Sequence, residues 1–462
     1  MSWPWSIRAP LAAACVSVGM LSAPAALAHA PPQVYRIVWK NDRELVLVTN
    51  RGLMFGEADE PDYRLMCIEA LHINTGEEPH AAYRGDGALL AATSQGLFFT
   101  TDEGCTWTAM PPLTGMLVPA LTQLPGQPDT LFAATFATGQ SAIRVTHDGG
   151  NTWTTLAALE DQDYTRTLKI APQDPSLLYA TGTQIVRMPA PVQQQYIARS
   201  RDGGQTWERN VVMLTEDELS LNLLAIHPTQ SDVLLAKTGS SSPGYVDERL
   251  MLSRDGGKTF DAVLMTSAVN DAAFASDGNA AWVAGNDGLW KSGPTFDDFQ
   301  RIGVADHLSC VEETHGRLWA CGHYTGTTAG LAHDGVGSAA PDATTFDPFM
   351  DFTHVTSEVS CDDSSPTPGL CEWSWQDFML ELLPYGAADG GAPLGAADAG
   401  VDTASATQDA SAATAHQVDA ATASPERASS GCAMLANRRN HPAWAWLLGL
   451  VCLRRKRRRA PA

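Results

Sequence analysis

Four short segments concentrate hydroxyls, carboxylates and aromatic rings at one fixed spacing. They lie at residues 100–107, 146–153, 200–207 and 253–260, and each reads S/T-x-D-x-G-x-T-W/F. A carboxylate two residues after a hydroxyl could act as a general acid or a nucleophile. Here local physics claims it first. Asp102, Asp148, Asp202 and Asp255 can each accept backbone N–H groups from the turn that follows. Gly104, Gly150, Gly204 and Gly257 can take the left-handed conformation that such a turn needs. The rings of Trp107, Trp153, Trp207 and Phe260 then fold under the hairpin and fill space between sheets. The motif reads as structural, and its aspartates are not catalytic candidates. No nucleophile elbow, Gly-rich phosphate loop or metal-ligand spacing occurs elsewhere. No catalytic residue, metal or cofactor is therefore assigned.

The cysteines carry the next signal. Residues 1–28 read as a secretory leader, with Arg8, an apolar stretch over 11–21 and a small-residue cleavage site at Ala26-Leu27-Ala28. Export makes disulfides the expected state of cysteines in the body. Cys15 leaves with the leader, and Cys432 and Cys452 belong to the C-terminal tail. Cys67, Cys105, Cys310, Cys321, Cys361 and Cys371 remain. Cys310 and Cys321 are equidistant from the turn His315-Gly316, so a hairpin would set them opposite each other. Cys361 and Cys371 flank a Pro- and Ser-rich loop and are expected to pair, which leaves Cys67 for Cys105. A formal charge of -22 makes nucleic acid an unsuitable partner.

Behind these residues stands a repeat. Seven short apolar runs end in a small residue or Thr, at 45–49, 89–93, 131–135, 177–181, 234–238, 281–285 and 318–322. Each run follows a shorter strand and a turn, and three enter tight turns at Gly52, Gly96 and Gly288. Two further strands complete each copy, and the S/T-x-D-x-G turn joins them. Such a period marks propeller blades. The expected fold is all-β: a single seven-bladed β-propeller over 33–355, with four antiparallel strands per blade. A disulfide-closed extension over 356–385 should pack on it, in part as a short helix ending before Pro384. Residues 386–430, rich in Ala, Asp, Ser and Thr, read as a disordered linker.

The repeated turn resembles the Asp box (BNR repeat) of the sialidase-like superfamily, from about residue 33 to 355. Enzymes of that family use three arginines for the substrate carboxylate, a Tyr–Glu nucleophile pair and an acid Asp, with the first arginine in an Arg-Ile-Pro motif. Here Arg36-Ile37 matches without the Pro, and the other groups cannot be placed. The tail over 431–462 resembles the C-terminal sorting signals of myxobacterial surface proteins. It holds Cys432, an apolar run over 442–453 and the cluster Arg454-Arg455-Lys456-Arg457-Arg458-Arg459. The resemblance implies a processing protease acting near Cys432, a membrane contact through the apolar segment, and a body at the cell envelope or outer surface, anchored or released.

The expected function is a binding or scaffold module for an unknown glycan or envelope protein. A sialidase-like exo-glycosidase, hence a glycoside hydrolase, is the alternative. The second-to-third connections of a blade share one face with the links between blades, and the Asp boxes lie on the other. Long segments converge on the first face at blades four and five. Arg187, Tyr196, Tyr245 and Arg249 are the ligand-binding candidates there.

Overall fold

The seven apolar runs are buried on both sides, as at Leu89–Thr93 and Ala281–Gly285. A strand whose two faces both lose water reads as continuous apolar sequence rather than as alternation. Here each run is the second strand of a four-stranded sheet that packs face to face against the sheets before and after it. The computed structural model describes residues 31–382, except 72, 74–77, 162, 187–191, 241–246, 304–306, 324–334 and 363. The expected leader, linker and tail, with Cys432, lie outside the described residues, as do Arg187 and Tyr245.

The chain is a seven-bladed propeller. Blades one to seven occupy residues 34–67, 80–109, 117–161, 164–212, 218–266, 269–302 and 308–350. In every blade four consecutive strands pair antiparallel in chain order. The first strands of successive blades pack against one another and line the central channel. The core is divided among the blade interfaces. Leu90 and Leu97 of blade two meet Leu131 and Ala133 of blade three, for example, and Leu235 and Leu252 of blade five meet Val283 of blade six.

Among the described residues each blade takes its own four antiparallel strands from one stretch of chain, and a single isolated bridge, Gln33 to His323, links the chain before blade one to blade seven. Two other devices close the ring. At the seam, Val34, Leu45 and Tyr63 pack with Trp319, Met350 and Phe352, and the Ser309 hydroxyl donates to the Val34 carbonyl. Beyond the seam, the chain after blade seven forms a clasp. Val355–Glu358 adds to the outer edge of blade one as a fifth, parallel strand. The helix Thr367–Glu381 follows and packs against the same blade. Arg51 binds Glu381 through two guanidinium nitrogens at 2.6–2.9 Å.

The disulfides correct part of the expected pairing. Cys310–Cys321 forms as expected, between residues directly opposed in their hairpin, with His315 and Gly316 both at positive φ in its turn. Cys361 and Cys371 do not pair, nor do Cys67 and Cys105. The bonds are Cys67–Cys371 and Cys105–Cys361, with Cα separations of 5.3 and 5.4 Å. The cause is the course of the clasp. Cys361 ends its extended part beside the blade-two turn, whereas Cys371 lies in the helix, against the end of blade one's fourth strand. Thr367 reinforces the first contact by donating to the Gly104 carbonyl at 2.8 Å.

Among the described residues no helix is long and apolar enough to cross a membrane.

Candidate functional site

The two ends of the propeller differ in chemistry. At one end lie the third-to-fourth turns with their repeated aspartates. In blade two, the Thr100 hydroxyl donates to Asp102 Oδ1 (2.7 Å) and accepts the Gly104 N–H (2.9 Å). Asp102 in turn accepts the Thr106 N–H (2.9 Å) and the Thr106 hydroxyl (2.7 Å). The same four bonds recur around Asp148, Asp202 and Asp255. Donors from Thr152 and Thr146 hold Asp148 at about 2, and donors from Thr206 and Ser200 do the same for Asp202. At Asp102 and Asp255 burial pushes the other way, yet their own donors keep both below the usual carboxylate range. Carboxylates this acidic and this occupied hold turns and do not deliver protons at neutral pH. The glycine is required by φ, which is +91° at Gly204, where a Cβ would also press on the end of the Leu156 side chain from the preceding blade. Trp153 and Trp207 donate their indole N–H to Gly150 and Gly204 carbonyls at 2.9 and 2.8 Å. Their rings pack between their own blade and the one before.

The channel gathers a second set of groups. Arg36, His80, Lys169, Asp271 and Glu312 stand on the first strands of blades one, two, four, six and seven. Arg36 lies 3.1 Å from His80 Nδ1 and donates to Glu78 at 3.2 Å. Burial, with Arg36 and Lys169 nearby, pushes His80 down to about 3, so the ring is neutral and Nδ1 accepts from Arg36. Asp271 accepts the N–H groups of Ala272 (2.9 Å) and Val311 (3.2 Å). Burial raises its carboxyl nonetheless. Burial and the neighbouring Asp271 push Glu312 up to about 7. A carboxyl poised there could act as a general acid. Among the described residues the basic groups that Asp271 and Glu312 feel are Arg36 and Lys169, a different set from three arginines around one carboxylate.

The opposite end, with the second-to-third hairpins and the blade-to-blade links, carries exposed apolar side chains at blades four and five. Val186 and Val192 face each other at the tip of the blade-four hairpin. Val211 ends that blade, and Met213 in the link is 82% exposed. Leu219 opens blade five, and Met265 near its end is 61% exposed. The link also presents Glu216 and Asp217 to solvent.

Two of the sequence-derived candidates for this end are placed, and both correct the expectation of free loop residues. Tyr196 is fully buried in the strand Val192–Ser200, with its hydroxyl 2.8 Å from Thr165 Oγ1 and Arg209 stacked on its ring at 4.3 Å. From Val192 onwards the chain is paired as an extension of the blade-four hairpin. Its polar Gln193–Gln195 stretch hid that pairing. Arg249 lies in the strand Glu248–Ser253 and is held by Glu218 at 2.7 and 2.5 Å. A matching pair, Arg209 and the buried Asp163, sits in blade four at 2.8 Å. Sequence reasoning missed Met213, Leu219 and Met265, which carry no motif. Their one legible signal is an apolar residue beside acids in a link, as in Met213-Leu214-Thr215-Glu216-Asp217.

A family model described as Sortilin-Vps10 (sortilin, neurotensin receptor 3) matches residues 141–287, from the third strand of blade three to the second-to-third turn of blade six. That span includes both blades of the exposed apolar end. A search of curated proteins finds no match. Among solved structures, an ancestral GH74 enzyme aligns with a TM-score of 0.52 and 13% identity over 70% of this chain and 46% of that one. The chain thus spans less than half of that enzyme. Kuenenia stuttgartiensis hydrazine synthase aligns at 0.47, with 11% identity over 68% of this chain and 96% of that one. Saccharomyces cerevisiae Sqt1 aligns at 0.44, with 11% identity over 70% and 86%. At these identities the likeness is one of fold.

Proposed function

We propose that the chain is an exported Asp-box propeller of the cell surface that binds a glycan or a protein and performs no catalysis. The observation that carries this reading is the set of exposed apolar side chains at one end of blades four and five. Soluble proteins expose such groups together chiefly where something covers them. Three disulfides support an oxidising, extracytoplasmic setting. Processing near Cys432 and a membrane contact through 442–453 complete the proposal, and the mass of the mature protein tests that part. A mature chain that keeps residues 454–459 ends it.

One observation favours a sialidase-like exo-glycosidase as the second reading: Arg36, Asp271 and Glu312 share the channel, with Glu312 near neutrality. The purified full chain should be applied in parallel to a glycan array, to a displayed-peptide library and to fluorogenic glycosides, sialosides included. The expected result is binding without turnover. Turnover that disappears in Glu312→Gln would replace the binding reading with the enzymatic one.

A further inference from the structure

We infer that the ligand of the blade-four and blade-five end is a cationic peptide segment bearing apolar side chains. The inference rests on the binding reading above and adds the chemistry of the partner. Val211, Met213, Leu219 and Met265 are exposed at this end. Methionine is unbranched and polarisable, so it adapts to apolar partners of varied shape. The charge beside these side chains is acidic. Glu216 and Asp217 are exposed in the link between Met213 and Leu219, and Asp247 is exposed at the start of the neighbouring hairpin strand.

Among the described residues two of the basic groups there are held in ion pairs. Arg209 is neutralised by Asp163 and Arg249 by Glu218, in pairs at 2.8 and 2.5 Å, while Arg166 lies over the Tyr164 ring. Among the described residues the apolar groups are therefore bordered by the exposed acids Glu216, Asp217 and Asp247, on a chain of net charge -22. An anionic membrane or an acidic glycan meets repulsion at this border. A peptide with Lys or Arg around apolar anchors meets attraction at the border and burial within it.

Fluorescence anisotropy on the purified full chain tests this with three labelled synthetic peptides: an amphipathic Lys/Leu helix, its Glu/Leu counterpart, and a Lys/Ser peptide of equal charge. Vesicles of phosphatidylcholine and phosphatidylglycerol form a fourth arm, read by sedimentation. The Lys/Leu peptide alone should bind, and more weakly as salt rises. Met213→Ser and Asp217→Lys should each weaken it about tenfold. Trp373→Ser, on the clasp helix, should leave it unchanged, with all three variants melting as the parent does.

Equal binding of the Glu/Leu or Lys/Ser peptide overturns the partner chemistry. The binding face still stands in that case provided Met213→Ser weakens the interaction. Lys/Leu binding indifferent to both Met213→Ser and Asp217→Lys overturns the face itself. Binding to vesicles alone, or to nothing, overturns the inference.

Discussion

Glu312 is an acid whose surroundings oppose its charge. Burial against Asp271 lifts its carboxyl to about 7, while an unfolded chain would titrate near the ordinary value of 4.5. The folded state therefore holds this proton more tightly than the unfolded state does. Below about pH 4.5 both states are protonated and nothing is lost. Between there and about pH 7 stability falls, and above it the full penalty stands. Glu312→Gln should thus raise the melting temperature by a few degrees at pH 8 and leave it nearly unchanged at pH 4, as read by differential scanning calorimetry. An equal shift at both pH values would mean that packing, not charge, governs the site. Glu218 shows the opposite arrangement. Burial opposes its charge, but Arg249 and the Thr215 N–H hold it down to about 2, so its contribution is present above pH 4.5 and fades as pH falls towards 2. Neither environment is legible in the sequence. Glu312 and Asp271 are 41 residues apart in the chain, and only the ring brings their strands together.

At the scale of the element, legibility divides by range. The S/T-x-D-x-G turns contain both partners of the four bonds that hold each aspartate, so that geometry was readable residue by residue. The same holds for Cys310 and Cys321, which one hairpin brings together. The clasp is the reverse case. Its strand pairs parallel to blade one from beyond blade seven, and no local pattern encodes that register. The two crossed disulfides follow from it and were misread for the same reason. Loop-closure entropy gives the clasp bonds more weight than the hairpin bond. Cys310–Cys321 spans 11 residues and Cys67–Cys371 spans 304. With Cys105–Cys361 left in place, chain entropy assigns about 4 kcal/mol to Cys67–Cys371 and about 3 kcal/mol to Cys310–Cys321. Replacing Cys67 and Cys371 together by Ala should therefore lower the melting temperature more than the same change at Cys310 and Cys321. The reverse order would show that the ring is held by its seam and not by its clasp.

For the whole molecule, the repeat predicted seven sheets around one axis because each sheet needs an apolar second strand covered on both faces. It left open how the circle would shut, since nothing in the first or last apolar run marks its neighbour across the seam. The answer is covalent. Because Cys67 lies at the end of blade one and Cys371 lies beyond blade seven, the backbone between them is bonded into a macrocycle that runs through blades two to seven. A protease that cuts once in any connection of those blades makes two polypeptides but not two molecules. Limited trypsin digestion should show this directly, with nicked protein migrating as one species on a non-reducing gel and as fragments only after reduction. Fragments already separate without reductant would contradict the bonding pattern. A single broken peptide bond anywhere in that macrocycle therefore does not take the ring apart.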